Sequence, residues 1–196
     1  MSVEERLIAR MSSAERRGQL VAAARIIALS EGVDAVTVRR VVTAAGASIA
    51  SFHYVFDDKE ELLGAVSNEL LRGYEGALSR HVPTGAGLGE AIQGVLTGYW
   101  QWVNEEPGLT RVILDAALSS KVDSGPSAVD VGHALVLDVL RATGEQPTQI
   151  SLDDLAHVIL VVIDGLSVID LVTQDPTQSL RNLENTTRAL VALAGA

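Results

Sequence analysis

The chain has 196 residues, of which 47% are hydrophobic and 20% charged, and it contains no cysteine. So much aliphatic surface can build a sizeable core, which excludes disorder over most of the chain. The lack of cysteine excludes a disulfide scaffold and a cysteine-based zinc site, and it fits a reducing cytosol. The charged N-terminus lacks the apolar core of a signal peptide, and no uninterrupted apolar stretch reaches about 18 residues, so we expect a cytoplasmic protein without a membrane span.

Charge is distributed unevenly along the chain. The formal net charge is −10, yet residues 1–56 carry seven arginines against five acidic residues, a net charge of +2. Residues 67–196 carry seven basic residues against sixteen acidic ones. Because an acidic surface repels phosphate, the N-terminal segment is the part whose charge favours contact with a nucleic-acid backbone.

Apolar residues recur at spacings of three and four almost throughout, which predicts an all-α fold of about nine helices. Ser12 and Glu15 have the spacing of a capping box at the start of the first helix, which ends at Gly32. Asp58 and Glu61 form a similar capping pair for the fourth helix. Further helices are predicted from about 88 to 103, 107 to 117, 129 to 141, 152 to 173 and 176 to 194, with a break at 124–126.

Two short helices joined by a glycine-containing turn predict a helix-turn-helix. Thr37 is placed to cap the first, and Ser48 to cap the second, which extends to about Phe56. On the second helix, Phe52, Val55 and Phe56 face one side, whereas Ala50 and Tyr54 face the other. Small outer residues let a helix enter the major groove, where polar side chains read base edges. An ordinary surface helix is the alternative that this pattern alone leaves open.

The residues in this region resemble those of the TetR family of transcriptional regulators. The resemblance covers about residues 12–70, and its all-helical continuation is similar in plan to that family's ligand-binding and dimerisation domain. It therefore implies a DNA-binding domain over 1–58 and a second domain over 59–196, linked by a helix over 59–80. The motifs that carry the resemblance are 17–24 (RGQLVAAA), Glu31-Gly32, Thr37-Val38-Arg39, Ala44-Ala45-Gly46-Ala47-Ser48, 51–56 (SFHYVF) and 59–63 (KEELL).

The resemblance also implies a role for individual residues. Thr37, Arg39 and Lys59 match positions that contact backbone phosphate, and a phosphate near Lys59 would also meet the positive end of a helix dipole. Many members carry Lys or Arg where Ile49 stands and Tyr where His53 stands, so the operator sequence cannot be inferred. The residues implied for the recognition helix are Ser48, Ile49, Ala50, Ser51, His53 and Tyr54.

The N-terminal arginines have two interpretations. Arg10, Arg16 and Arg17 form either an arm that reaches phosphate or the minor groove, or a solvated charged terminus.

The predicted helix over 152–173 suggests a homodimer. Six polar residues fall on one side of its circumference, and nearly all others are Val, Ile or Leu. So wide an apolar arc cannot be covered by one neighbour, so we expect one side to pack on the core and another on a second subunit. The alternative is the central helix of a monomer. The expected interface residues are Leu155, Ile159, Val162, Ile163, Leu166, Ile169, Leu183 and Leu190.

A ligand cavity is expected among the later helices, and the resemblance supports it. Its occupant would be a small molecule, apolar or cationic given the aliphatic lining and acidic surroundings. Core packing is the alternative for Tyr99 and Trp102, and a satisfied core histidine is the alternative for His133. The candidate ligand-binding residues are Tyr99, Trp100, Trp102, Asn104, His133 and Asp164.

The sequence holds no enzyme signature that we recognise. The run 85–90 (GAGLGE) is not a dinucleotide-binding motif, and the four histidines lack metal-ligand spacing. We therefore expect no catalytic residue, metal or cofactor. The expected function is a ligand-responsive homodimeric repressor that binds a double-stranded DNA operator. The alternatives are an all-helical enzyme using His133, His157 and Asp164, or a helical adaptor.

Overall fold

The computed structural model describes residues 11–106, 108–119 and 128–196. Within these ranges the chain is all-α, as predicted, with nine α-helices, one 3-10 turn and no strand. The expectations for Arg10, Pro107 and residues 124–126 lie outside the described residues. The helices are α1 (Ser13–Glu31), α2 (Val38–Ala44), α3 (Ile49–His53), α4 (Lys59–His81), α5 (Leu88–Glu105), α6 (Leu109–Ser119), α7 (Ala128–Ala142), α8 (Leu152–Thr173) and α9 (Pro176–Ala194).

The described chain divides into two compact units, one ending at Leu70 and one spanning Leu71–Ala196. The division lies inside α4, whereas the functional boundary at 58/59 stays a prediction. Local caps define the helix ends of the first unit. Ser12 Oγ accepts the Glu15 N–H at 3.1 Å, and Glu15 Oε2 accepts the Ser12 N–H at 2.7 Å, which confirms the predicted capping box.

Helix α3 is shorter than predicted. It ends at His53 rather than near Phe56, because the chain turns at Tyr54 and Val55 before α4 begins at Lys59. Asp58 Oδ1 accepts the Glu61 N–H at 2.8 Å and so caps α4 as expected. The Glu61 carboxylate accepts the Asp57 N–H rather than that of Asp58, so the capping box is only half formed. The hydrogen bond from the Asp57 N–H lowers the pKa of Glu61, and a second hydrogen bond, from Arg17, lowers it further.

Arg17 ties α1 to the segment that follows α3. Its guanidinium lies 4.1 Å from the centre of the Phe56 ring and donates to the Val55 carbonyl at 2.8 Å. It also pairs with Glu61 at 2.8 Å. Arg16 makes one side-chain hydrogen bond within the described residues, to Gln19 at 3.0 Å. Arg17 therefore fits neither the interpretation as a DNA-contacting arm nor that as a solvated terminus, because its guanidinium holds the first unit together.

In the second unit, α4 and α5 approach each other closely. A Cβ atom added at Gly94 would lie 2.5 Å from the His81 carbonyl oxygen, and one at Gly98 would lie 3.2 Å from that of Ala77. Two glycines one turn apart on α5 therefore allow its backbone to contact the C-terminal part of α4 directly.

Helix α8 turns several of its polar residues inward. Ser167 is buried and bonds to Tyr99 on α5, and Asp170 accepts a hydrogen bond from Ser179 on α9. Leu155, Ile159 and Ile163 are also buried. Large apolar residues on the opposite side are exposed, among them Val161, Val168, Ile169, Leu171 and Val172.

One helix of the described ranges, α8, is long and apolar enough to cross a membrane by length and composition alone. The sequence argument counted only uninterrupted apolar stretches, and α8 is interrupted by Asp164 and Asp170. In this structure α8 packs against α7 and α9 of its own unit.

The tie made by Arg17 can be tested by comparing neighbouring arginines. Arg17→Ala is expected to lower the free energy of unfolding of the first unit by about 1 kcal/mol, because it removes a cation–π contact and a part-buried hydrogen bond. Arg16→Ala removes one exposed hydrogen bond, to Gln19, and no cation–π contact, so its loss of stability should be smaller. Urea denaturation measures both, and equal losses would show that the stacking on Phe56 stabilises nothing.

Candidate nucleic-acid interface and ligand cavity

The helix-turn-helix is held by two capping side chains and one glycine. Thr37 Oγ1 accepts the Arg40 N–H at 3.3 Å where α2 begins, and Ser48 Oγ accepts the Ser51 N–H at 3.1 Å where α3 begins. Between the two helices Gly46 has φ +58°, a left-handed conformation that costs glycine little. The three local features together set the tight turn between α2 and α3.

Helix α3 separates a buried aromatic side from an exposed outer side. The Phe52 and Phe56 side chains are buried in the first unit. On the outside, Ile49 is 55% exposed and Tyr54 is 77% exposed. The remaining candidates on this helix are exposed at Ser48, Ala50 and His53, and half-buried at Ser51. A short helix is thus anchored from beneath and leaves small, polar and apolar side chains facing solvent.

The cations near this surface differ in how they are used. Arg40 pairs with Glu31 and also donates to the Ala35 carbonyl at 3.3 Å. The guanidinium of Arg39 is exposed and makes no hydrogen bond or ion pair with the described part of the chain. Lys59, the first residue of α4, is half-buried and equally unpaired within those residues. Arg39 and Lys59 therefore keep their charge available for an external anion.

A cavity of about 80 Å³ lies within the second unit. Three of the six candidates from the sequence line it together, namely Tyr99, Trp102 and Asp164. Tyr74 stacks on Trp102 with ring centres 5.2 Å apart and meets Tyr99 edge-on at 5.7 Å. The other described residues in its wall are Leu71, Ile113, Val129, Gly132, Leu160 and Ile163.

The polar groups of this wall differ in whether they are paired. The Tyr99 hydroxyl bonds to Ser167 Oγ at 2.7 Å, and burial raises the pKa of Tyr99 to about 12. Ser167 in turn donates to the Ile163 carbonyl at 2.8 Å. The Tyr74 hydroxyl is buried without a hydrogen-bond partner among the described residues, and burial raises its pKa too. Asp164 is half-buried, and burial raises the pKa of its carboxyl group.

The other three ligand candidates lie elsewhere. Trp100 lines a separate space of about 10 Å³, and Asn104 is exposed, its Nδ2 donating to the Trp100 carbonyl at 2.7 Å. His133 Nε2 donates to the Asp153 carbonyl at 3.2 Å, which supports its interpretation as a satisfied histidine. The His133 and His157 rings lie 5.9 Å apart, but neither lines the cavity beside Asp164. The two histidines therefore lie beside each other, and neither is part of the cavity wall that carries Asp164.

Tyr74 was missed as a cavity residue by the sequence argument. Its position on the apolar side of α4 identifies it only as a core residue. The stacking of Tyr74 on Trp102 joins residues far apart in sequence, so no local spacing indicates it.

The expected dimer residues also divide into two groups. Five of them are core residues of their own chain rather than the interface residues we predicted. These are Leu155, Ile159 and Ile163 of α8 and Leu183 and Leu190 of α9. Polar partners on α5 and α9 turn that side of α8 inward. Val162 and Leu166 are half-buried, and Ile169 is exposed. The exposed apolar face of α8 instead consists of Val161, Gly165, Val168, Ile169, Leu171 and Val172.

Comparisons with known proteins agree with this architecture. Residues 20–66 match the sequence model of a family described as bacterial regulatory proteins, tetR family. A relative from Paenarthrobacter nicotinovorans, the HTH-type nicotine-responsive transcriptional repressor HdnoR, is 25% identical over 168 residues, which cover 81% of this chain and 85% of that protein.

Solved structures share the fold. A transcriptional regulator from Rhodococcus sp. Rha1 is similar with a TM-score of 0.71 and 19% identity, covering 90% of this chain and 96% of that one. The multidrug binding protein EbrR, solved with imidazole, has a TM-score of 0.69 and 21% identity, covering 89% of each chain. At these identities the likeness shows the fold and nothing about ligands.

The unequal pairing of the two cavity tyrosines gives a direct test. Tyr99→Phe is expected to lower the free energy of unfolding by about 1 kcal/mol, since it breaks a buried hydrogen bond with Ser167. Tyr74→Phe should leave stability unchanged or raise it, because the hydroxyl it removes is buried without a partner. Urea denaturation of the ligand-free protein measures both, and an equal loss for the two variants would mean that the Tyr74 hydroxyl is hydrogen-bonded.

Proposed function

The chain belongs to the TetR family of bacterial regulatory proteins, and we propose that it is a homodimeric repressor that binds a roughly palindromic DNA operator. A small molecule in the cavity of the second unit causes release of the operator. The observation that carries the proposal is the outer surface of α3, which is exposed and anchored by buried Phe52, together with the exposed cation of Arg39 on α2, which pairs with no described residue. The protein acts in the cytoplasm, where the operator lies.

The proposed DNA contact combines base reading with phosphate binding. Ala50 lets α3 sink into the major groove, while Ser51, His53 and Tyr54 reach base edges or nearby phosphates. Ile49 is exposed and apolar, and it is suited to contact the methyl group of thymine. Other side chains contact the phosphate backbone of the DNA and so position α3 along the duplex. These are Thr37, Arg39, Ser48 and Lys59.

Dimerisation uses the exposed apolar face of α8. Val161, Gly165, Val168 and Val172 lie within about 60° of one another on the helix, at spacings of four, three and four. Val161 is 59% exposed and Val172 is 78% exposed, which is unusual for a row of valines on a soluble monomer. Pairing of this face with the same face of a second copy buries it. A two-fold dimer also presents two recognition helices, which successive major grooves require at about 34–36 Å.

The ligand response follows from linkage. A small molecule weakens DNA binding only if it binds better to the conformation that does not fit the operator, and the operator then weakens ligand binding by the same factor. The mostly apolar wall of the cavity supports an organic effector. The relative named as nicotine-responsive supports a response to a small molecule, and its description as a repressor supports the direction of regulation.

Selection from random duplex DNA with the purified full-length chain tests the function. We expect enrichment of a motif with two-fold symmetry whose half-sites lie about one helical turn apart. Failure to enrich any sequence over the starting pool at low salt would contradict DNA binding. Enrichment of a single half-site without symmetry would contradict the homodimer.

Two adjacent arginines provide a matched test of the phosphate contacts. Arg39→Ala is expected to weaken binding to all sequences alike and to lower the slope of log affinity against log salt by about one, because one phosphate contact is lost. Arg40→Ala removes the same charge from a side chain that pairs with Glu31, so its slope should stay near that of the wild type. Fluorescence anisotropy over a salt series measures both. If Arg40→Ala changes the slope as much as Arg39→Ala does, the assignment of Arg39 is wrong.

The proposed interface predicts the effect of a single charge on α8. Val168→Glu is expected to convert the dimer to a monomer, since it buries two unpaired carboxylates across the two-fold axis. Ile26→Glu is the control, because Ile26 is also exposed but lies on α1. Sedimentation velocity gives the mass of each. A Val168→Glu protein that still sediments as a dimer would place the interface elsewhere. Ile163→Glu should instead unfold the chain, because Ile163 is buried.

A further inference from the structure

We propose that the cavity takes a small protonated amine, an organic cation with an N–H group, and that Asp164 is its counterion. The inference rests on the proposed function, in which this cavity is the effector site. It goes beyond that function by naming the chemical class of the effector and the residues that select it.

The first observation is a carboxylate without a partner. Asp164 lines the cavity, and it makes no hydrogen bond or ion pair with any residue in the described ranges. Burial raises the pKa of its carboxyl group, and no cation among the described residues compensates for that burial. A carboxylate in a mostly apolar wall is costly unless an opposite charge meets it. A cationic ligand provides that charge, and a neutral ligand leaves it missing.

The second observation is the aromatic wall. Tyr74, Tyr99 and Trp102 pack against one another, with ring centres 5.2–6.0 Å apart, and all three line the cavity with Asp164. Aromatic ring faces attract organic cations, and the attraction grows when the site excludes water. A wall of three such rings beside one carboxylate favours a cation with an apolar periphery over a hydrated metal ion.

The third observation separates amines with an N–H group from quaternary ammonium ions. The Tyr99 hydroxyl is already bonded to Ser167. The Tyr74 hydroxyl is buried in a residue that is 5% exposed, and it has no hydrogen-bond partner among the described residues. An N–H group bound in the cavity donates to the Tyr74 oxygen, while the Asp164 carboxylate provides the opposite charge. A quaternary ion has no N–H group, so it leaves the Tyr74 hydroxyl unpaired at a cost.

The size of the cavity limits the part of the ligand that it holds. Its volume of about 80 Å³ is about half that of a cavity of roughly 150 Å³ that accommodates benzene in another protein. A tertiary ammonium group with short alkyl substituents therefore suits it, either as a whole molecule or as the head of a longer one.

Three probes of similar size separate charge from hydrogen bonding. Trimethylamine is protonated at neutral pH and has one N–H group, tetramethylammonium is charged without an N–H group, and tert-butanol is neutral. Binding is followed without DNA by the fluorescence of Trp102 in a Trp100→Phe background, because the chain has only two tryptophans and Trp100 lies outside this cavity. We expect a saturable response to trimethylammonium at millimolar concentration, and at least about tenfold weaker binding of tert-butanol.

Two substitutions assign the selectivity to residues. Asp164→Asn should reduce the preference for trimethylammonium over tert-butanol to about twofold or less, because the counterion is lost. Tyr74→Phe should weaken trimethylammonium binding several-fold, by about one hydrogen bond, and leave tetramethylammonium unchanged. Asp153→Asn is the matched control, since it makes the same charge change on the same helix at an exposed position outside the cavity.

Several outcomes overturn the inference. These are no saturable response to trimethylammonium, equal binding of tert-butanol, or an equal effect of Asp164→Asn and Asp153→Asn. If Asp164→Asn does not fold, the comparison of probes on the wild-type chain still decides. Operator binding is measured separately: if trimethylammonium binds as expected but leaves operator affinity unchanged, the ligand response under the proposed function fails while the cation site stands.

Discussion

The side of α8 that faces the interior of its unit buries Leu155, Ile159 and Ile163 and carries the hydrogen bond between Ser167 and the Tyr99 hydroxyl. Once Ser167 points inward, Asp164 lies one turn away on the same side and lines the cavity, and Asp170 reaches Ser179 on α9. The same rotation leaves the row of Val161, Gly165, Val168 and Val172 on the outside. One orientation of α8 therefore underlies two proposals: a carboxylate available to a ligand and an apolar face available to a second copy.

The first unit could be predicted from the sequence in detail because its signals are local. A capping box, a glycine in a tight turn and serine or threonine caps each act within four residues, so their spacing is visible in the chain. The buried side of Phe52 and the exposed side of Ala50 follow from the same helical period. What local spacing could not show is the role of Arg17, whose partners Val55 and Phe56 are nearly forty residues away.

The second unit was harder to predict because its polar residues are paired at long range. A polar stripe on α8 normally marks a solvent-facing side, and here Asp164, Ser167 and Asp170 face inward because α5 and the start of α9 supply the remaining walls and partners. The expected interface was therefore placed partly on the core side. The apolar arc was nevertheless wider than one neighbour could cover, and that part of the argument still supports a dimer.

The close contact between α4 and α5 depends on two positions of α5 that carry no side chain. Gly94 and Gly98 lie against backbone carbonyls of α4, and Trp102, one turn further along α5, lies against Gly73 of α4. A side chain at Gly94 would overlap the His81 carbonyl and push α4 away from α5. Tyr74 on α4 and Trp102 on α5 line the cavity together, so the steric limit at this glycine also restricts how far apart the two sides of the aromatic wall can be set.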